Sequence, residues 1–265
     1  MKVLLTGASG GIGKAVAEIF LKNGHTVYAL DIVKTQFNSE SLDFYELSIT
    51  DENALKQVKE KLEKDGVQLD AIVNVAGIFD IDSFIEIPTE KLKNLFEVNL
   101  FGAMYVNKIF HPLLKKDGRI LVTTSEVAPL EPLPFNGIYS VSKTALDSYT
   151  QALRQELNLL GQRVITIRPG AFRTPLSKGA LDKTKDLTDK TKLYQAQSSK
   201  FYTIVKTFMG NPKPPEKLAP VYLKALTSKR PKLIYTKHVN PLLLLMNILP
   251  KRLQCFAVKT LLKTK

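Results

Sequence analysis

Tyr139 and Lys143 lie four residues apart, the spacing that puts two side chains on one face of a helix. A phenol with its ordinary pKa near 10 is a poor base at neutral pH. An ammonium group beside it favours the phenolate and lowers that pKa. The pair can therefore exchange a proton with a bound hydroxyl or carbonyl group, Tyr139 acting as the general acid/base. A Tyr-x-x-x-Lys pair also occurs by chance in many helices, so it needs partners. Ser125 follows the apolar run from Arg119 to Thr124, at the edge where parallel sheets place their active residues. Its hydroxyl can orient a substrate oxygen, although Thr123 and Thr124 compete for that place. Asn99 lies inside a helical stretch, where asparagine is a mediocre former. Taken singly, Ser125 and Asn99 read as capping or solvated polar residues before they read as chemistry.

A second constellation opens the chain. Val3-Leu4-Leu5 is a short apolar run, and Thr6-Gly7-Ala8-Ser9-Gly10-Gly11-Ile12-Gly13 joins it to a stretch of helical periodicity (Ile12, Val16, Ile19, Phe20). Glycines in such a turn let a pyrophosphate approach backbone N–H groups at a helix N-terminus, and the strand-loop-helix context is the one a dinucleotide needs. Asp31 ends the next apolar run, 18 residues after Gly13. An acid about 20 residues on can accept hydrogen bonds from the adenosine ribose and repels a 2′-phosphate. No basic residue precedes Lys14 in the loop, and Lys34 comes three residues past Asp31. The expected cofactor is therefore NAD(H) rather than NADP(H).

The elements that must position these residues alternate. Strands are expected over 3–5, 26–30, 44–47, 71–75, 119–124 and 163–168. Helices are expected over 11–23, 51–64, 89–116 and 137–160, with Asn23-Gly24 and Asp117-Gly118 as stop signals. Repeated β-α-β units imply an α/β fold, a doubly wound parallel sheet flanked by helices. One unit over 1–265 is expected, with 1–174 as the core and 175–215 as a substrate lid. Within that lid one helix is expected over 193–209, from the stripe Leu193, Phe201, Ile204, Val205 and Phe208, and Asn211-Pro212-Lys213-Pro214-Pro215 breaks the chain after it. A last helix and strand follow over 216–240, and an apolar basic tail over 241–265.

With these residues in place, the chain is identified as resembling the short-chain dehydrogenase/reductase family. The family's glycine motif matches residues 6–13, its Asn-x-Ala-Gly motif matches Asn74-Val75-Ala76-Gly77, and its long-helix asparagine matches Asn99. Its serine matches Ser125, its tyrosine and lysine match Tyr139 and Lys143, and its Pro-Gly turn with a following threonine matches Pro169, Gly170 and Thr174. The resemblance covers residues 1–175 and implies a Rossmann fold with about seven strands. It implies that Asn99, Ser125, Tyr139 and Lys143 are catalytic, with Asn99 holding a water that relays protons from Lys143. It also implies that Gly7, Ser9, Gly10, Gly11, Ile12, Gly13, Asp31, Asn74, Ala76, Gly77, Tyr139, Lys143, Pro169, Gly170 and Thr174 bind the cofactor, Lys143 through the nicotinamide ribose. Two departures stand out. Ser48 occupies the place of the aspartate that often contacts the adenine, and Ser125 lies 14 residues before Tyr139, one more than usual.

Charge divides the chain. Residues 1–199 hold 24 basic and 24 acidic residues, whereas 200–265 hold 14 basic residues and one acid, Glu216. Within that basic part, Pro241 to Pro250 is strongly apolar but far shorter than the ~20 residues that span a bilayer. Residues 251–263 then set Leu253, Phe256, Ala257 and Leu261 on one helical face. Two readings stay open for 238–265. It makes a peripheral membrane contact, or it packs on the domain or a second subunit, and a dimer or tetramer is expected. The tail resembles those of family members acting on steroids and retinol, which implies a hydrophobic alcohol or ketone substrate. A nucleic-acid partner is set aside because of the apolar run. The three histidines show no metal-ligand spacing, so no metal is expected, and Cys255 reads as a small apolar residue. The N-terminus lacks the pattern of a signal peptide, so a cytoplasmic or membrane-peripheral location is expected. A cofactor-binding scaffold or regulator without turnover is the alternative to an oxidoreductase, and the complete set of Asn99, Ser125, Tyr139 and Lys143 argues against it.

Overall fold

Strands covered on both faces read as unbroken apolar runs, as Val3-Leu4-Leu5 and Ala71-Ile72-Val73 do. The computed structural model describes residues 1–34, 39–208 and 212–263, without the side chains of 176–178 and 208, and places those runs at the centre of a seven-stranded sheet. The strands are β1 (Lys2–Thr6), β2 (Thr26–Asp31), β3 (Leu42–Glu46), β4 (Leu69–Asn74), β5 (Leu114–Thr123), β6 (Arg163–Pro169) and β7 (Ile234–Lys237). They pair in parallel in the order β3-β2-β1-β4-β5-β6-β7. The order reverses at β1, so a crevice opens above the carboxyl ends of β1 and β4, where Thr6 and Asn74 are register partners.

The helices are α1 (Gly11–Lys22), α2 (Glu52–Lys64), α3 (Thr89–Phe96), α4 (Gly102–Phe110), α5 (Gly137–Asn158), α6 (Pro175–Lys190), α7 (Gln195–Phe208), α8 (Ala219–Thr227), α9 (Pro241–Ile248) and α10 (Lys251–Leu262). Alternation along the strands sends Leu4, Ile72, Ile120 and Val164 to one face, under Leu55, Val106, Phe110 and Leu146 of α2, α4 and α5. Val3, Leu5, Val73 and Ile165 go to the other face, under Val16, Phe20 and Tyr222 of α1 and α8. The expected stop of α1 is present, with Asn23 as cap and Gly24 at φ 73°. Asp51 caps α2 by accepting from the N–H groups of Asn53 and Ala54.

Two expectations need correction. The helix expected over 89–116 is broken into α3, a π-helical turn at Glu97–Phe101, α4 and a 3-10 turn at His111–Leu113. Pro112 lacks the N–H that would extend the ladder, so the chain enters β5 already at Leu114. Asp117-Gly118 lies within β5, in an irregular stretch where Leu114 pairs with Leu69 and Arg119 with Ala71.

The second correction concerns the lid, which holds two helices rather than one. The polar sequence of α6 concealed it. Its buried face is Ala180, Thr184 and Leu187, and the Thr184 hydroxyl donates to the Ala180 carbonyl at 2.7 Å, which makes a threonine cheap to bury there. Glu86 closes the corner between α6 and α7 by accepting from the Thr191 hydroxyl and from the N–H groups of Lys192 and Leu193. The Phe208 side chain and Asn211, both used in the lid reading, lie outside the described residues.

The tail, left open between membrane contact and packing on protein, forms two helices. Asn240 caps α9 through the N–H of Leu242, and Pro250 separates α9 from α10. Leu253, Phe256 and Leu261 do not pack on the chain but are 52%, 67% and 58% exposed. Val258 and Leu262 dock instead, on a third apolar cluster with Ile81, Phe135, Leu187 and Phe201. Cys255 is exposed rather than buried. Among the described residues no helix is long and apolar enough to cross a membrane, and no group of side chains is arranged to hold a metal ion.

Candidate active site

The first turns of α5 carry Tyr139 and Lys143, and α5 is pinned to the sheet one turn further on. Arg168 of β6 forks onto the Asp147 carboxylate at 3.0 and 2.6 Å, and the Thr124 hydroxyl donates to the same group at 3.1 Å. This anchor fixes the tyrosine against the end of β5. Of the three candidates it is Ser125 whose hydroxyl acts on the Tyr139 phenol, favouring its charged form. Thr123 is engaged with the Tyr222 hydroxyl at 2.7 Å. The Lys143 ammonium lies 5.9 Å from the centre of the Tyr139 ring and donates a long hydrogen bond to the Thr123 carbonyl at 3.4 Å.

The electrostatics differ from the sequence expectation. Tyr139 keeps a partly open edge, but its hydroxyl is enclosed, and burial pushes it up to about 12. The Ser125 hydroxyl works against that rise and the Glu126 carboxylate adds to it. Burial also pushes Lys143 down to about 8. Burial is the leading cause of both shifts, and it favours Tyr139 as the neutral phenol.

Asn99 sits fully buried on the π-helical turn, a geometry that recurs at functional sites. Its carboxamide accepts from the Ile78 N–H at 2.7 Å and donates to the Ile78 carbonyl at 2.9 Å and the Ser142 hydroxyl at 3.1 Å. Ser142 in turn donates to the Tyr139 carbonyl at 2.8 Å. Gly77 lies between the two partners: a Cβ there would stand 3.1 Å from Asn99 Oδ1 and 3.2 Å from Lys143 Nζ. The structure thus brings Asn99, Ser125, Tyr139 and Lys143 together around one point.

The glycine loop has the shape a pyrophosphate requires. Gly7 has φ 69°, and a Cβ there would meet the Ala76 N at 2.7 Å. A Cβ on Gly13 would meet the Gly7 carbonyl at 1.9 Å, so only glycine lets α1 start this close to β1. Gly10 is the cap of α1 and has no side chain to cap it, so the first N–H groups of Gly11, Ile12 and Gly13 have no intrahelical partners. Thr174 closes the far side, its Cγ2 only 2.8 Å from a Cβ built on Gly11. Asp31 turns to the same loop: its carboxylate accepts from the N–H groups of Ser9 at 2.8 Å and Val33 at 3.1 Å. Gly170 is wedged against the His238 carbonyl, and Pro169 accepts from the Glu126 N–H at 2.9 Å. These residues fit a nicotinamide dinucleotide.

Asn74 is the residue turned elsewhere. Its side chain is buried and donates to Asn107 Oδ1 at 2.8 Å, and Asn107 donates to the Tyr149 hydroxyl at 3.2 Å. It braces the end of β4, while Ala76 and Gly77 line the crevice. Ser48 hydrogen-bonds the Thr50 hydroxyl at 2.7 Å and shapes the turn before α2.

Sequence reasoning missed Phe79 and Glu126. Phe79 packs edge-on against the Tyr139 ring, 4.9 Å between centres, and joins the tyrosine to the third apolar cluster. Glu126 is largely enclosed, burial raises its carboxyl above the usual range, and it accepts from the Asn240 N–H at 2.6 Å. Adjacency to Ser125 was the only signal for Glu126, and nothing marked Phe79.

Comparison with known proteins agrees with this geometry. The family model described as short chain dehydrogenase matches residues 1–185. Estradiol 17-beta-dehydrogenase 2 of Mus musculus is 34% identical over 188 residues, 66% of this chain and 49% of that protein. The chain thus spans about half the length of that relative. NADPH-dependent 1-acyldihydroxyacetone phosphate reductase of Schizosaccharomyces pombe is 30% identical over 225 residues, 83% of this chain and 74% of that one. The crystal structure of a short chain dehydrogenase family protein from Francisella tularensis superposes with a TM-score of 0.73 at 25% identity, covering 89% of this chain and 96% of that one. The tyrosine-centred site, the crevice beside the glycine loop and the family match over most of the length all lead to one assignment: this chain belongs to the short chain dehydrogenase family.

Proposed function

We propose that the chain is an NAD(H)-dependent oxidoreductase that interconverts a secondary alcohol and a ketone on a hydrophobic substrate, a steroid-like molecule, a retinoid or another lipid. The observation that carries this reading is Tyr139, with Lys143 across its ring, Phe79 at its edge and Ser125 acting on its hydroxyl. The nicotinamide, when bound, supplies or takes up the hydride. The glycine loop, Thr174, Pro169 and Gly170 hold the cofactor, with Lys143 on its nicotinamide ribose. Ser125 orients the substrate oxygen, and Tyr139 donates a proton to it in reduction or removes one in oxidation. Asn99 ties the Ile78 backbone to Ser142 beside Lys143, which supports a relay that restores the tyrosine proton.

The preference for NAD rests on Asp31, whose carboxylate faces the loop where a 2′-phosphate would need positive charge. The hydrophobic substrate rests on the cluster of Ile81, Phe135, Leu187, Phe201 and Leu262 joined to Phe79, and on the name of the mouse relative. The test is turnover with NAD(H) and NADP(H) over a panel of steroids, retinoids and simple secondary alcohols, followed at the nicotinamide absorbance. Turnover of a bulky lipophilic member with NAD(H) is the expected result. Turnover confined to NADP(H), or to small polar alcohols, overturns the corresponding half of the reading.

A further inference from the structure

The last two helices leave an unusual surface uncovered. Leu244, Leu245 and Ile248 of α9 and Leu253, Phe256 and Leu261 of α10 are all exposed, from 45% to 78%. Lys251, Arg252, Lys259 and Lys263 stand exposed among them. No acid occurs after Glu216, and of these four cations Lys251 alone has a carboxylate partner among the described residues, the exposed Glu131 at 3.3 Å. The inward faces are already used: Val258 and Leu262 join the third cluster, and the Glu131 N–H donates to Asn247 at 2.8 Å. The outward apolar residues are therefore not spare core residues of this chain.

We propose that α9 and α10 are a docking face for the surface of an anionic lipid bilayer. The helices are too short to cross a membrane, and a helix pair with exposed leucine, isoleucine and phenylalanine ringed by lysine and arginine suits the boundary between headgroups and acyl chains. Charge decides against a second copy of the chain. A two-fold contact would set this patch on itself and press like charges together around the apolar residues. Nucleic acid would match the charge but leave the aliphatic residues wet. Beneath the same helices lies a cleft of about 340 Å³, lined by Leu243, Met246 and Val258 from the tail and by Val127, Phe135 and Ser140 beside the start of α5. The docking face thus lies over a cleft that reaches Gly137 and Ser140 in the first turn of α5.

Flotation of the full chain with vesicles tests the proposal independently of its enzymatic reading, since binding is read without turnover. Vesicles of phosphatidylcholine mixed with phosphatidylserine should carry the protein up the gradient at low salt, and phosphatidylcholine alone should carry much less. Ile248→Ser with Phe256→Ser should abolish flotation at any salt. Lys251→Gln with Arg252→Gln should lower binding to the anionic vesicles by about tenfold or more and remove its salt dependence. Both variants should keep the thermal melt and NADH binding of the parent, which shows that they fold. Failure of the parent to float on either vesicle overturns the proposal. So does equilibrium sedimentation showing a dimer that Ile248→Ser with Phe256→Ser dissolves, which would give the face to a second copy. Tighter binding to RNA than to anionic vesicles would likewise give it to nucleic acid.

Discussion

Tyr139 and Lys143 are perturbed by the same cause in opposite directions, and this is open to measurement. Tyr139→Phe keeps the ring beside Phe79 but removes the acidic proton. Turnover should fall by about 10²–10⁴-fold while NADH binding, read by fluorescence titration, stays near the parent value. Retained turnover removes Tyr139 from its role. Lys143 is held at about 8 in the fold against 10.5 in the unfolded chain. Between those values the unfolded chain binds a proton that the folded chain has released, so this group makes stability rise with pH across that window. The melting temperature of the parent minus that of Lys143→Met, without cofactor, should therefore climb from about pH 8 to about pH 10. A level difference refutes the depressed ammonium. Residues that work through neighbours in sequence were legible, because four-residue spacing and glycine turns are local signals. Phe79 and Glu126 were not, because they reach the site only through the folding of distant loops.

The anchor on α5 carries the main consequence for the secondary elements. The Arg168 fork on Asp147 is mostly shielded from solvent, and removing the arginine strands a carboxylate that only Thr124 still serves. Arg168→Ala should destabilise the chain by about 2–3 kcal/mol in urea unfolding and lower kcat more than it raises KM, because α5 aims Tyr139. An effect confined to stability would separate the anchor from the aiming. The parallel sheet and the end of α1 followed from apolar runs and from Asn23 and Gly24. The break at Pro112 and the helix α6 did not. A proline stop competes with an otherwise continuous apolar period, and a face built on Ala180 and Thr184 shows too little hydrophobic contrast to register as helical.

For the molecule as a whole, cofactor binding and folding are linked through the crevice between β1 and β4. NADH at about 100 times its Kd should stabilise the folded chain by about 2.7 kcal/mol and raise Tm by several degrees. NADPH at the same concentration should raise it less, and Asp31→Ala should narrow the gap. Equal shifts for the two cofactors in the parent chain contradict the role given to Asp31. The location of that crevice was legible from the glycine loop. The docking of the tail was not, since both faces of α9 and α10 are apolar and the choice between them is made by the distant residues Ile81, Phe135 and Leu187.

The residues proposed to move protons lie on the π-helical turn, just past β5 and on α5, whereas the third apolar cluster draws on α6, α7 and α10. The family match stops at residue 185, close to that seam. On the proposed roles, reactivity and choice of substrate are encoded on separate stretches of gene. Recombination or drift after about residue 175 can retune which molecule is admitted while the proton-handling geometry passes on unchanged.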